Sequence, residues 1–397
     1  MNQVSGTILP FHQAACSAQA QAAYIHVPFC RSRCLYCDFY VVLEKYGGQD
    51  AFAEALCQEI ASRLACLNFE PAMPFKSLYV GGGTPTLLPA GVYQQIFRAF
   101  SLAGAAFAYD CERTLEANPD DWADSPEAYL DAGFNRVSLG VQSLDDDVLK
   151  RLSRRHSAET ALNNIAALSR AGFGNISVDL MYGLPGQTLE SWRETLAQVA
   201  QLPVQHVSAY GLTVHQETGL GRLQAFAQYQ PATEAITLEM YQLCRQLLAK
   251  HGFEAYEFSN FARPGYESWH NLNYWRNNNW WAFGPGAHGQ IGHTRYENLD
   301  DLAQYLQDPL KAHFTLQTPQ EQLENTFIFG LRTHEGVDWQ RLRAGLPRLI
   351  IARIEAILSK WQQRGVLNTN YLGRICLAPA YIAQSNYVIQ DFIGLAS

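Results

Sequence analysis

Three thiols fall within eight residues in the run Tyr24-Ile25-His26-Val27-Pro28-Phe29-Cys30-Arg31-Ser32-Arg33-Cys34-Leu35-Tyr36-Cys37. The C-x3-C-x2-C spacing lets a short loop wrap three thiolates around one face of a cube. Soft sulfur donors suit iron–sulfur clusters and zinc. A [4Fe–4S] cube held in this way keeps one iron free of protein and open to chelation by a substrate. The competing reading is a structural zinc with His26 as fourth ligand. Zinc sites pair two short ligand clusters across a longer loop, and the chain offers no second cluster of that kind, so the spacing favours the cube. The remaining cysteines, Cys16, Cys57, Cys66, Cys111, Cys244 and Cys376, lie apart and read as small apolar or surface residues. An odd total of nine, three of them bunched, does not read as a secreted disulfide framework.

Other residues with chemical potential sit just after apolar runs. Leu78-Tyr79-Val80 leads into Gly81-Gly82-Gly83-Thr84-Pro85, where glycines would let backbone groups approach a ligand. A plain tight turn is the simpler reading of that stretch alone. Glu116 follows Thr114-Leu115, Gln142 ends Ser138-Leu139-Gly140-Val141, and Thr213 follows His206–Leu212. Asp179 lies inside the apolar run Ile176-Ser177-Val178, where a lone carboxylate is costly unless paired. A ribose hydroxyl or the guanidinium of Arg154 would satisfy it.

These residues need a frame that brings them together. The candidate strands are Ala23–Phe29, Leu78–Gly81, Thr114–Asn118, Arg136–Val141, Ile176–Tyr182 and His206–Leu212. Helical patterns at 50–66, 89–101, 125–132, 157–171 and 188–200 alternate with them. Repeated βα units with near-continuous apolar strands predict an α/β fold: a parallel sheet closed into a partial barrel, with helices outside. Ligands of such barrels sit at the carboxyl ends of the strands, so Cys30, Gly81 to Thr84, Glu116, Gln142, Asp179 and Thr213 are expected to share one site. Beyond Gln216 the pattern changes. A helix at 232–251 leads to the run Phe253–Phe261 and a Trp/Asn-rich segment at 269–289. Helices at 318–331 and 348–364, a hairpin near 366–378 and a closing helix at 380–393 suggest a C-terminal α+β, winged-helix-like appendage.

The 397 residues carry a formal charge of -8 with 48% hydrophobic and 17% charged content, and an estimated pI of about 5.8. No basic block marks a nucleic-acid or anionic-membrane surface, so the appendage reads as a packing domain. No run reaches the roughly 18 apolar residues of a membrane span. Residues 1–22 lack Lys and Arg, so they lack the basic start of a secretory signal. They read as a flexible extension, and the chain as cytoplasmic.

Several segments together resemble a known family: Tyr24 to Phe39, Gly81 to Pro85, Gly140-Val141-Gln142-Ser143, Asp179-Leu180-Met181-Tyr182-Gly183-Leu184-Pro185 and the His270 segment. The chain is similar over about residues 23–390 to the oxygen-independent coproporphyrinogen III dehydrogenase family, and within it to the heme-chaperone (HemW) branch. That resemblance implies a radical S-adenosylmethionine (SAM) core: a partial (β/α)6 barrel at 23–230, a flanking segment at 231–317 and a C-terminal domain at 318–397. It implies a [4Fe–4S] cluster on Cys30, Cys34 and Cys37, with Tyr24, Gly82, Glu116 and Thr213 around the cluster-bound SAM. Tyr36, Gly83, Thr84, Gln142, Arg154 and Asp179 match positions that hold a second SAM in the dehydrogenase, and complete a single site where only one is bound.

In the dehydrogenase pattern a fourth cysteine follows at C-x-C spacing, whereas here Cys37-Asp38 is followed by Phe39. The run His270-Asn271-Leu272-Asn273-Tyr274-Trp275 matches the branch's H-N-x-x-Y-W motif, associated with heme. His270 would ligate the iron, while Asn271, Tyr274 and Trp275 would border the macrocycle. His288, in Gly284-Pro285-Gly286-Ala287-His288-Gly289, is a further candidate on a loop expected to face the SAM site. The implied function is a heme-binding chaperone delivering heme to acceptor proteins, with the cluster and SAM controlling transfer or dimerisation. An electron donor such as flavodoxin or ferredoxin would serve a protein that is a monomer or a ligand-dependent homodimer. The alternative is radical oxidative decarboxylation of coproporphyrinogen III, which Phe39 disfavours although three cysteines suffice for SAM cleavage. A scaffold whose cluster merely orders a loop is a third reading, and it leaves the strand-end residues unexplained. No catalytic residue is assigned.

Overall fold

A computed structural model of the chain describes residues 20–65 and 73–395. Cys16, Cys66 and nearly all of the expected 1–22 extension lie outside the described residues. Six strands, β1 (Ala22–Val27), β2 (Phe75–Gly82), β3 (Phe107–Ala117), β4 (Arg136–Gln142), β5 (Ile176–Tyr182) and β6 (His206–Gly211), pair in parallel in chain order. Helices at Gln49–Leu64, Ala90–Leu102, Ala158–Ala171 and Leu189–Val199 return the chain over the outside. Their starts are set locally. Ser157 caps the third through the Thr160 N–H, and Thr188 and Ser191 form a capping box on the fourth.

The strands do not read as continuous apolar runs once folded. Ile25, Leu78, Leu115, Val137, Val178 and Val207 are fully buried, and with their i±2 neighbours they form the face beneath the helices. The alternate positions are polar and meet one another across the interior: Tyr79 with Glu116, Thr114 with Arg136, Ser138 with Asp179, Ser177 with His206. Strand period two therefore separates an apolar outer layer from a hydrogen-bonded inner one.

The sheet continues past the six strands at both edges. β7 (Glu254–Ala255) and β8 (Asn260–Ala262) add antiparallel to β6, and β9 (Trp281–Phe283) adds parallel to β1, giving the order β9-β1-β2-β3-β4-β5-β6-β8-β7. The 231–317 segment thus shares its sheet with the barrel. It continues into an antiparallel sheet of β10 (His288–Ile291), β11 (Thr294–Asn298) and β12 (Ala312–Leu316). A buried polar hub fixes this sheet to the barrel. Glu59, on the helix Gln49–Leu64, accepts from Arg63 Nε (2.8 Å), Asn298 Nδ2 (2.7 Å), the Gly284 N–H (2.8 Å) and the Tyr305 hydroxyl (2.8 Å). Breaking a buried, fully bonded charge of this kind costs about 3–5 kcal/mol.

At the C-terminus, helices Pro319–Gly330 and Arg348–Gln363 precede an antiparallel hairpin of Leu367–Thr369 and Ile375–Leu377, and Phe327 stacks on Phe392 at 4.2 Å. The expected closing helix at 380–393 is instead three short turns, Pro379–Gln384, Ser385–Ile389 and Gln390–Phe392. Pro379 opens the run and Ser385 and Asn386 are modest helix formers, which weakens a continuous helix there. Among the described residues no helix is long and apolar enough to cross a membrane.

Candidate metal and cofactor site

The cysteine loop leaves β1 and is zipped to the glycine loop that leaves β2. Val27 O and Phe29 O accept from the N–H groups of Gly83 (2.8 Å) and Thr84 (2.7 Å), and Phe29–Cys30 pairs with Val42–Leu43 to close the loop's base. The zip explains the glycines. A Cβ on Gly83 would lie 2.6 Å from Phe29 O, and Gly82 adopts φ +108 with His26 against it. Close backbone approach is demanded first by the protein itself.

Cys30 Sγ lies 3.6 Å from the Thr84 hydroxyl, and Arg154 Nη1 donates to Cys34 Sγ at 3.4 Å. Burial pushes the Cys30 thiol up to about 12 and raises Cys37 as well. A bound cation would be needed to hold these buried thiols as thiolates. Among the described residues no three His, Cys, Asp or Glu side chains converge enough to hold a single ion. A cube presents its irons at separate corners, so its thiolates need not converge. His26 is not a fourth ligand. Its Nε2 lies 2.9 Å from the Tyr40 carbonyl, which can only accept, so Nδ1 takes a hydrogen bond from Tyr24 OH at 3.0 Å. Both ring nitrogens are spent, and burial lowers the ring to about 4. The donor set therefore fits a three-thiolate cube.

Glu116 faces this loop pair from the end of β3. It accepts from Tyr79 OH at 2.6 Å and from the Gly82 N–H at 2.9 Å. Burial nevertheless pushes its carboxyl up to about 7, and an ammonium group beside it would hold it ionised. Gln142 ends β4 at φ 60 with its buried Oε1 unpartnered, a strained acceptor of the kind found at ligand sites. Tyr36 lies beside Cys34 and Arg154 on the cysteine loop, and Thr213 is exposed just after β6. Cys30, Cys34, Cys37, Tyr24, Tyr36, Gly82, Gly83, Thr84, Glu116, Gln142 and Arg154 thus gather at one end of the barrel.

Two expectations are corrected. Arg154 does not pair with Asp179. Its Nη2 donates to Asn118 Oδ1 and Gly140 O, both at 2.7 Å, and Nη1 reaches Cys34. Asp179 is satisfied by the Ser138 hydroxyl at 2.9 and 3.1 Å. Burial raises its carboxyl, while Ser208, Ser138 and Arg136 pull it back. The second concerns His270, which is 1% exposed. Its Nδ1 meets Ser77 Oγ and its Nε2 meets Tyr274 OH, both at 2.8 Å, and its ring stacks on Tyr79 at 5.0 Å. Burial, and then Arg136, lower it to about 3. A neutral imidazole with both nitrogens bonded offers no lone pair to iron in this arrangement. The rest of the motif does reach open space: Asn271, Tyr274 and Trp275 line a cavity of about 310 Å³ with Trp280, Phe329 and Glu257.

The residues that hold the motif helix carry no motif of their own. Glu112 accepts from the Ser268 hydroxyl and from the N–H groups of Trp269 and His270 at 3.0–3.1 Å, a carboxylate placed at a helix start. Arg136 is buried on the neighbouring strand. Burial opposes its charge, and Glu112, Tyr79, Tyr256 and Asp179 together more than offset that. The available signal was period-two polarity within β3 to β6.

Residues 24–199 match the Radical SAM superfamily. The chain is 33% identical over 356 residues to the heme chaperone HemW of Bacillus subtilis, covering 88% of this chain and 93% of that protein. It is 35% identical over 377 residues to the bovine protein named radical S-adenosyl methionine domain-containing protein 1, mitochondrial, covering 90% and 84%. The solved structure of coproporphyrinogen III oxidase (HemN) from Escherichia coli, described as a radical SAM enzyme, superposes with a TM-score of 0.84 at 21% identity, covering 99% of this chain and 94% of that one. The chain belongs to the radical SAM superfamily and, within it, to the family of proteins named heme chaperone HemW.

Proposed function

We propose that the chain holds a [4Fe–4S] cluster on Cys30, Cys34 and Cys37, binds SAM against it, and carries heme as cargo to acceptor proteins. The observation that carries the cofactor part is the zip between the cysteine loop and the glycine loop, with Glu116 and Arg154 closing on it from β3 and from the segment after β4. When bound, the cluster supplies electrons singly to the sulfonium of SAM. The protein's own contribution is positional. Glu116 takes the ammonium, and the Gly82 to Thr84 turn presents backbone to the amino-acid end. Arg154 sets a positive charge against Cys34, and the buried Gln142 acceptor remains for a polar group of the ligand. The cargo part is supported by the name its relatives carry and by aromatic-walled cavities beside the motif helix.

This reading puts the chain in the cytoplasm, served by a one-electron donor such as flavodoxin or ferredoxin, as a monomer or a ligand-dependent homodimer. Decarboxylation of coproporphyrinogen III is disfavoured by Phe39, whose side chain stands 61% exposed where the dehydrogenase pattern has a thiol. The test is anaerobic reconstitution, followed by SAM and hemin binding, hemin transfer to an apo-acceptor, and incubation with coproporphyrinogen III. Expected are cubane absorbance, SAM-dependent change in its EPR signal, hemin transfer and unaltered tetrapyrrole mass. Stepwise loss of carbon dioxide would replace the chaperone reading with the dehydrogenase one.

A further inference from the structure

We propose that the tetrapyrrole sits in the cavity beside the cysteine loop, and that His288 supplies the imidazole to its iron. This rests on the heme-cargo reading and relocates its ligand. The cavity, about 660 Å³, opens between Phe39 and Tyr40 of the cysteine loop, Tyr274 and Trp280 of the motif region, and the β10–β12 sheet. That volume lies within the roughly 300–1,000 Å³ typical of cofactor sites, and aromatic rings supply the flat apolar walls a macrocycle needs.

Three imidazoles border this space, and their states differ. His26 has both nitrogens bonded and is 4% exposed. His288 and His313 are exposed. Strand register puts His288 opposite Glu297 and Glu297 opposite His313, so the three form one row across the sheet. Glu297 Oε2 lies 3.6 Å from His288 Nδ1, and among the described residues no hydrogen bond engages His288 Nε2. A carboxylate facing one ring nitrogen at ion-pair distance, with the other nitrogen free, is placed to orient and strengthen an imidazole ligand. His288 is also tied to the aromatic wall: Trp280 Nε1 donates to its carbonyl at 2.7 Å. Asp38, Asp300 and Glu297 make the rim acidic, which turns the propionate edge outward to solvent. A macrocycle here lies against Phe39, two residues after Cys37, so cargo and cluster loop are in contact.

The test is hemin titration of the full chain, read by Soret absorption and EPR, for wild type, His288→Ala, Glu297→Gln, His313→Ala and His270→Ala. Wild type should give an imidazole-ligated spectrum. His288→Ala should lose it and regain it with added free imidazole. Glu297→Gln should weaken hemin binding roughly tenfold, the lower end for an outer-shell partner. His270→Ala and His313→Ala should keep the ligation signature. An unchanged spectrum in His288→Ala, or loss confined to His270→Ala or His313→Ala, overturns the assignment while leaving heme cargo standing. A wild-type protein that binds no hemin overturns both. Thermal melts confirm folding, which the exposed position of His288 favours.

Discussion

Replacing His270 by alanine should cost the protein stability before it costs any ligand. The ring is enclosed, bonded to Ser77 and Tyr274 and stacked on Tyr79. Its removal strands two buried hydroxyls, each worth about 1–3 kcal/mol when unsatisfied, and leaves a ring-sized void against Tyr79. The expected loss is about 3–5 kcal/mol, at the upper end of single substitutions. Adding Ser77→Ala removes one stranded hydroxyl, so the double variant should be less destabilised than the two single effects combined. The pH dependence has a defined sign. A ring held at about 3 instead of its ordinary 6.5 contributes stability that is present above 6.5 and lost as pH falls toward 3, on the order of 5 kcal/mol at the acid limit. Urea midpoints between pH 7 and pH 4 should therefore fall for wild type, and less steeply for His270→Ala. A His270→Ala protein with wild-type midpoints and an unchanged pH slope would refute the enclosed-ring account.

Three further outcomes follow from the cluster end of the barrel. Glu116→Gln should weaken SAM binding about 10- to 100-fold, because it removes the charge facing the ammonium, as read by isothermal calorimetry on reconstituted protein. In wild type, SAM affinity should rise as pH increases through about 7, where the Glu116 carboxyl ionises, and this pH dependence should vanish in the variant. Arg154→Met removes a cation bonded to Cys34, so the cluster's reduction potential should move to more negative values in EPR-monitored redox titration, with iron content retained. A positive shift would contradict the charge assigned to that contact.

The cysteine loop, the glycine turn and the strand-end carboxylate were legible because each is a local pattern whose chemistry and geometry lie within a few residues. What failed was pairing at a distance. Asp179 invites a cation, and Arg154 was near enough in sequence to be offered. Strand register decides otherwise, giving Asp179 to Ser138 on the adjacent strand and Arg154 to the cysteine loop. The partner that fills His270 Nδ1 is Ser77, 193 positions away, so no spacing within the motif could reveal that the ring was already engaged. The expected strand Thr114–Asn118 omits the first half of β3, where Glu112 and Arg113 serve the motif helix and a neighbouring turn rather than an apolar layer.

The barrel interior bears on where the proposed cargo can go. His270 and His206 are each held between a serine and a tyrosine hydroxyl, Ser77 with Tyr274 and Ser177 with Tyr256. Both rings are depressed by burial and then by Arg136. The positive charge inside is thus carried by Arg136 alone among these three, with Glu112 and Asp179 among the groups that sustain it. An interior so bonded has little to gain from an apolar disc, since entry would separate hydroxyl–imidazole pairs at about 1–3 kcal/mol for each group left bare. The aromatic cavity beside the cysteine loop demands no such separation. On the proposed heme-cargo reading, a flat tetrapyrrole is therefore directed to the barrel mouth, where contact with Phe39 would make the state of the cysteine loop and the retention of cargo parts of one equilibrium.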